Sequence, residues 1–290
     1  MILSYNSVKF STFDKERGEP DLLVRLAYSE PNLRRRTSTY TGSMNVEICI
    51  DSVDSAIAAA RGGAKRVELC SALSEGGITP SAGLISAVRT AIDIELFVII
   101  RPRGGDFIYS ESEFEVMIRD IEEAKARKVD GIVLGILAAT GEVEVERTRK
   151  LVEFARPLGV TFHRAFDICN DLSRAMEDVI SAGADRILTS GGAVDAIQGM
   201  DRLAQLQEQA RGRISIMAGG GIRPSNVFAL VRRTGVEEVH SSLSRNSEGS
   251  TEMGSDQNGR RTYVVVEEDV RAFKAAAEAT TLDAQVDVRH

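Results

Sequence analysis

From Met44 onward, short runs rich in Val, Ile and Leu alternate with longer stretches whose apolar residues recur every three or four positions. The short runs have the length and β-branched character of strands, and the longer ones have the spacing of a helix face. Eight such pairs succeed one another between about 46 and 279. Their strands are VEICI (46–50), RVELC (66–70), ELFVIIR (95–101), GIVLGI (131–136), VTFH (160–163), RILT (186–189), ISIMA (214–218) and VEEVH (236–240). Regular alternation of this kind makes βαβ units on a parallel sheet. A count of eight predicts a closed eight-stranded parallel (β/α)8 TIM barrel. A doubly wound open sheet would put a Gly-rich phosphate turn after its first strand, where this chain has CIDSVDS. In the first crossover Asp51 or Ser52 is placed to cap a helix through AIAAAR, which Gly62-Gly63 stops.

Three segments fall outside the pattern. Residues 1–43 carry mixed charge, an Arg34-Arg35-Arg36 run and no sustained period, and read as a flexible N-terminal extension before a barrel domain at 44–279. Residues 245–262 are polar and Gly/Ser-rich, a mobile loop between the last strand and the last helix. Residues 280–290 carry no structural signal and read as a tail.

Strand side chains alternate, so the apolar parity of each strand faces the helices and the other parity points into the barrel. With Val46, Ile48 and Ile50 outward, Glu47 and Cys49 turn inward, and Glu68 and Cys70 do the same on the second strand. The third strand then presents Arg101 and Arg103 at its C-terminal end, and the fifth presents His163. In the eighth strand Val236 and Val239 lie on opposite parities, which leaves its facing undecided, and His240 ends it. Buried charges need partners, so Glu47 and Glu68 are expected to meet Arg101 or Arg103 across the barrel.

Cys49 and Cys70 occupy equivalent points of neighbouring strands ~4.8 Å apart. Three readings of the pair stand side by side: inert small residues, a thiolate site for a soft ion such as Cu(I), or a disulfide working against a reducing compartment. Cys169 lies past the fifth strand and reads as a bystander. His163 with Asp167 four residues on is a candidate acid–base pair, or a histidine simply satisfied in the mouth. Gly219, Gly220 and Gly221 follow the seventh strand, and Ser241 and Ser242 the eighth, where barrels build phosphate sites from backbone amides. A hard divalent ion on Glu47, Asp51, Glu68 and His163 is a further option. No lysine ends a strand, which argues against a Schiff-base aldolase.

Composition narrows the partners. The 290 residues are 43% hydrophobic and 27% charged, an ordinary globular balance. A net charge of −7 with no aromatic-rich basic stretch gives no footprint for nucleic acid. No run is long and apolar enough for a membrane span, and the N-terminus lacks a secretory h-region. Three cysteines make no disulfide framework. A cytoplasmic protein that meets a metal ion or a small anionic molecule is the expectation.

The motifs VEICIDSVDSA, RVELCSALSEGGITPS, VIIRPRGGDFIYS, VTFHRAFD, RILTSGG and IMAGGGI, in this order from about Met44 to His240, resemble the CutC family, often called copper homeostasis proteins. The resemblance implies an eight-stranded barrel, a homo-oligomer (dimer or tetramer), and copper handling with Cys49 and Cys70 at the positions of the proposed Cu(I) ligands. Glu47, Glu68, Arg101, Arg103, His163, Arg164 and Asp167 match that family's polar mouth. The family name describes a cellular association rather than a reaction. Two functions therefore follow. One is a copper homeostasis protein binding Cu(I) through Cys49 and Cys70. The other is a barrel enzyme in which Gly219–Gly221, Ser241 and Ser242 hold a small anionic or phosphorylated metabolite, Arg101 and Arg103 neutralise charge, and His163 with Glu47, Glu68 or Asp167 moves protons.

Overall fold

The structure is a computed structural model that describes residues 44–243, 245–246 and 263–286. The expected extension 1–43 lies outside the described residues. Eight parallel strands close into a barrel in sequence order, each next to its successor and the last beside the first. They are β1 (Asn45–Ile50), β2 (Arg66–Leu69), β3 (Glu95–Ile99), β4 (Gly131–Leu134), β5 (Gly159–Phe162), β6 (Arg186–Thr189), β7 (Ser215–Gly219) and β8 (Glu238–Ser241). Around them lie α1 (Val53–Arg61), α2 (Ala82–Ala91), α3 (Glu111–Ala126), α4 (Val145–Ala155), α5 (Leu172–Ala182), α6 (Met200–Ala210), α7 (Val227–Thr234) and α8 (Glu267–Val286). The barrel and its eight strand–helix pairs are as the sequence predicts.

The outward parity carries the hydrophobic load. Val46, Ile48 and Ile50 of β1, Val67 and Leu69 of β2, Leu96 and Val98 of β3, and Ile132 and Leu134 of β4 are all buried under the helices. Each such side chain contributes about 1.5–3 kcal/mol on removal from water. The helices answer with apolar stripes, such as Phe114, Met117, Ile121 and Ala124 of α3. Their starts are fixed by side-chain caps. Ser52 caps α1, Asp171 caps α5, and Ser110 with Glu113 forms a reciprocal capping box on α3.

Two details depart from the sequence expectation. The eighth strand begins at Glu238, so Val236 precedes it and only Val239 is left to set the outward face. That resolves the parity: Glu238 and His240 point inward. At the C-terminus α8 runs on to Val286, through residues expected as a tail, because extending a formed helix adds one hydrogen bond for each residue fixed. The expected loop 245–262 has a short antiparallel ladder at its ends, β9 (Arg245–Asn246) on β10 (Tyr263–Val264), and its remainder lies outside the described residues.

Inside, Phe97 of β3 extends across the barrel. Gly131 makes this possible, since a Cβ there would sit 2.3 Å from the Phe97 ring. The segment after β2 folds back over the mouth through a bridge between Ser71 and Ile78 and a 3-10 turn at Leu73–Glu75. Its Leu73 packs against the interior cluster of Cys49, Cys70, Phe97, Ile99 and Val133.

Candidate thiol and histidine centre at the barrel mouth

Register decides which inward side chains meet. β1 pairs with β2 so that Glu47 lies beside Arg66 and Cys49 beside Glu68, and with β8 so that Glu47 lies beside His240. Two layers result.

The lower layer is a buried ion network. Arg66 donates through Nε to Glu47 and through Nη2 to Glu238 Oε2 at 2.6 Å. Arg186 Nε reaches the same Glu238 oxygen at 2.6 Å, and Ser215 Oγ donates to Glu238 Oε1 at 2.7 Å. Both guanidiniums lie over the Phe97 ring, their Cζ atoms 4.8 and 5.5 Å from its centroid. Burial raises the Glu47 carboxyl, but Arg66 and then His240 outweigh it and hold the group well below the usual carboxylate range. Burial likewise works against the Arg66 cation, and Glu47 and Glu238 more than restore it.

The upper layer holds the titrating groups. Cys49 Sγ and Cys70 Sγ are 3.8 Å apart. His240 Nδ1 lies 2.7 Å from Glu47 Oε1, and its Nε2 lies 3.7 Å from Glu68 Oε2. One ligand atom each from Cys49, Glu68 and His240 falls within a 4.8 Å cluster, and among the described residues it is the one group of three or more His, Cys, Asp or Glu side chains placed to hold a metal ion. Gly77 lets the overlying turn approach, because a Cβ there would stand 3.1 Å from Cys70 Sγ. Its φ of +85° would strain any other residue.

The environment sorts the protons. The hydrogen bond from Cys70 is the strongest influence on Cys49; with His240 it outweighs burial and lowers that thiol from 9.0 to about 6. Cys70, as the donor to a thiolate, is pushed well above 9.0, with burial adding to the effect. Burial and then the Cys49 charge push Glu68 well above 4.5. Burial disfavours the His240 cation, yet hydrogen bonds to Cys49 and Glu47 and the charges of both glutamates raise it well above 6.5. Cys49 and Glu47 are thus held toward their anions, Cys70 and Glu68 toward neutral, and His240 toward imidazolium. With Arg66, Arg186 and Glu238, the cations and anions of the two layers balance.

The other expected site residues fall elsewhere. Arg101 and Arg103 do not pair with Glu47 or Glu68, which corrects that expectation. Both lie past the end of β3, above the glutamates. Arg101 is buried and clasps two loops through Glu75 O at 2.8 Å, Gly77 O at 2.9 Å and Gly105 O at 2.8 Å. Arg103 turns outward to Glu113 at 2.6 Å and Asp106 at 3.0 Å. His163 accepts the Ala165 amide at Nδ1, so its ring proton sits on Nε2. Burial, with Arg101 nearby, lowers it to about 3. Among the described residues the group placed to hold an ion is Cys49, Glu68 and His240, so the divalent set of Glu47, Asp51, Glu68 and His163 does not assemble. Asp167 is occupied by Arg164, Ser190 and Gly192 and organises loops. Ser241 Oγ is committed to Ile222 O at 2.7 Å, and Ser242 is half-buried beside it. Cys169 is pushed up to about 11 by burial.

Arg66 and Glu238 are not among the residues expected from sequence, where the facing of His240 stays undecided. All three share the inward parity of their neighbours, so Glu68 pointed to Arg66; for β8 the misleading signal was Val236.

Fold and centre define a class: a closed (β/α)8 barrel with a thiol–imidazole–carboxylate cluster at the C-terminal ends of its strands. The sequence model described as the CutC family matches residues 44–245, and the chain belongs to that family. It is 51% identical over 197 residues to a CutC family protein of Chromobacterium violaceum, covering 68% of this chain and 80% of that protein. It is 47% identical over 219 residues to the human copper homeostasis protein cutC homolog, covering 74% and 80%. A CutC crystal structure from Streptococcus agalactiae superposes with a TM-score of 0.66 at 32% identity, covering 69% of this chain and 98% of that one. Thiamine phosphate pyrophosphorylase from Pyrococcus furiosus, at 15% identity and a TM-score of 0.52, shares the fold alone. No helix among the described residues is long and apolar enough to cross a membrane.

Proposed function

We propose that this chain handles copper by taking up Cu(I) as cargo between Cys49 and Cys70 in a reducing cytoplasm. The observation that carries the reading is the pair of sulfurs 3.8 Å apart on adjacent strands. One ion with metal–sulfur bonds of ~2.3 Å can touch both. Thiolates are the ligands that favour Cu(I) over harder ions, and imidazole is compatible with it. The names of the human and bacterial relatives support the same direction.

The surrounding residues have definable tasks. Cys49 is already held toward its thiolate, so the proton released on binding comes from Cys70, and a second comes from His240 if its ring nitrogen joins the sulfurs. Glu47, pinned by Arg66, orients the His240 ring by accepting at Nδ1, the arrangement that fixes metal-binding histidines elsewhere. Leu73 and Gly77 exclude water from the sulfurs. The test is a Cu(I) competition titration of the reduced protein beside the Cys49→Ser/Cys70→Ser double variant. The reading expects at least a hundredfold loss of affinity in the variant, and equal affinities would overturn it.

A second reading has its own observation. Glu47 holds His240, and a ring nitrogen of His240 lies within 4.8 Å of Cys49 Sγ, so the three stand in the order orienter, acid–base group and nucleophile. An enzyme built on this cluster would use His240 in place of His163. A thermal-shift screen of phosphate esters and sugar acids finds candidate substrates, since a ligand at a hundred times its dissociation constant stabilises by ~2.7 kcal/mol. Conversion of a hit by the metal-free protein, lost in Cys49→Ser, would favour this reading, and no conversion of any hit would overturn it.

A further inference from the structure

We infer that the loops after β5 and β7 form a binding site for the phosphate group of a small molecule, held by Arg164 Nη1 and the backbone amides of Gly220 and Gly221. Arg164 stands in the 3-10 turn after β5, with its side chain 43% exposed. Its Nε donates to Asp167 Oδ2 at 2.7 Å and its Nη2 to Ser190 Oγ at 2.9 Å, while Nη1 makes no hydrogen bond among the described residues. Asp167 is fixed in turn by the Ser190 amide at 3.0 Å, the Ser190 hydroxyl at 2.9 Å, the Gly192 amide at 3.1 Å and the Thr189 hydroxyl. The carboxylate is spent on the loops, so it aims the guanidinium and leaves one edge of it free.

That edge faces Gly220. A Cβ at this position would lie 3.3 Å from Arg164 Nη1 and 3.4 Å from Ser190 Cβ, and φ is +104°. Backbone and guanidinium therefore approach one another as only glycine allows. Two Gly-Gly pairs with positive φ stand side by side in this part of the mouth, and they differ. Gly191 and Gly192 spend their amides on the Thr189 hydroxyl and on Asp167, closing their loop on itself. The amides of Gly220 and Gly221 have no partner among the described residues, although the Gly220 carbonyl accepts from Ala196 at 2.9 Å. One pair is used up by the fold and the other is presented. A guanidinium with two adjacent free amides suits a multidentate oxyanion, and the loop after strand 7, which carries the two glycines, is one of the two from which barrel enzymes frequently build phosphate sites.

The preceding residue joins this site to the thiol cluster. A Cβ on Gly219 would lie 3.4 Å from His240 Cβ. A molecule anchored by its phosphate on Arg164 and Gly220 would carry the rest of its structure over Cys49 and His240. The inference stands on this loop geometry and holds whether or not copper occupies the thiols.

The test uses the full chain, reduced and metal-free, titrated with inorganic phosphate at constant ionic strength and followed by amide nitrogen–proton spectra. The expected result is saturable shifts centred on Gly220 and Gly221, with Arg164→Gln weakening binding at least tenfold and Arg164→Lys less. Acetate in place of phosphate separates a phosphate site from a general carboxylate one; equally tight acetate binding would overturn the assignment. So would the absence of saturable shifts at the two glycines in the unaltered protein, a readout that does not depend on any variant folding. Undiminished binding by a folded Arg164→Gln protein would overturn it as well.

Discussion

The two layers inside the barrel are built from similar residue types and behave in opposite ways. In the lower one, Arg66 and Arg186 lie between Glu47 and Glu238, and each charge has a permanent partner. In the upper one, Cys49, Cys70, Glu68 and His240 have no guanidinium hydrogen-bonding partner among the described residues and must settle their charges by moving protons. Fixed cations make a layer that is costly to break and indifferent to pH. Their absence makes a layer that a metal ion or a substrate can re-protonate. Glu47 belongs to both, bound to Arg66 below and to His240 above.

The largest effect that would break this comparison is on stability. Arg66→Met leaves two buried carboxylates without their shared cation, and a loss of about 3–5 kcal/mol in urea unfolding is expected. Cys70→Ser should cost far less; an equal loss would mean that the upper layer is structural too. Copper affinity should divide the layers the other way. The hundredfold loss expected for the double cysteine variant corresponds to about 2.7 kcal/mol, whereas Ser215→Ala, which removes one donor to Glu238, should leave Cu(I) affinity unchanged.

A third prediction concerns acid. His163 is buried as the neutral ring and titrates at about 3 rather than 6.5, so the unfolded chain binds the extra proton between these values. Its contribution to stability is present above pH 6.5 and is lost as pH falls toward 3. Between pH 6.5 and 5 the wild type should lose about 1.5 kcal/mol more than His163→Gln. Identical acid profiles would contradict its burial as a neutral group. The smallest effect is at His240. His240→Gln removes one of the influences that lower Cys49 to about 6, and alkylation of that thiol at pH 7 should slow by about tenfold. An unchanged rate would place the thiolate's stabilisation on Cys70 and Glu68.

The outward half of the barrel was legible in the sequence because burial against helices enforces a period of two, as in Val46, Ile48 and Ile50. The same period turned Glu47, Cys49, Glu68 and Cys70 inward correctly. Partners were harder. Glu47 and His240 are 193 residues apart, and only closure of β8 on β1 in one register brings them together. Arg101 and Arg103 had the right sign and the right strand for the glutamates, but both lie past the strand's end, where loop carbonyls and Glu113 claim them. Parity is a local property and register is not, which is why Glu47, Cys49, Glu68 and Cys70 were visible before their partners were.

The central claim is that the two sulfurs share one ion. X-ray absorption at the copper edge of the reduced, Cu(I)-loaded protein tests it most directly. Two sulfur neighbours around copper, lost in the Cys49→Ser/Cys70→Ser protein, are the predicted result. A copper environment of nitrogen and oxygen alone, or one that survives the double substitution unchanged, would contradict the account.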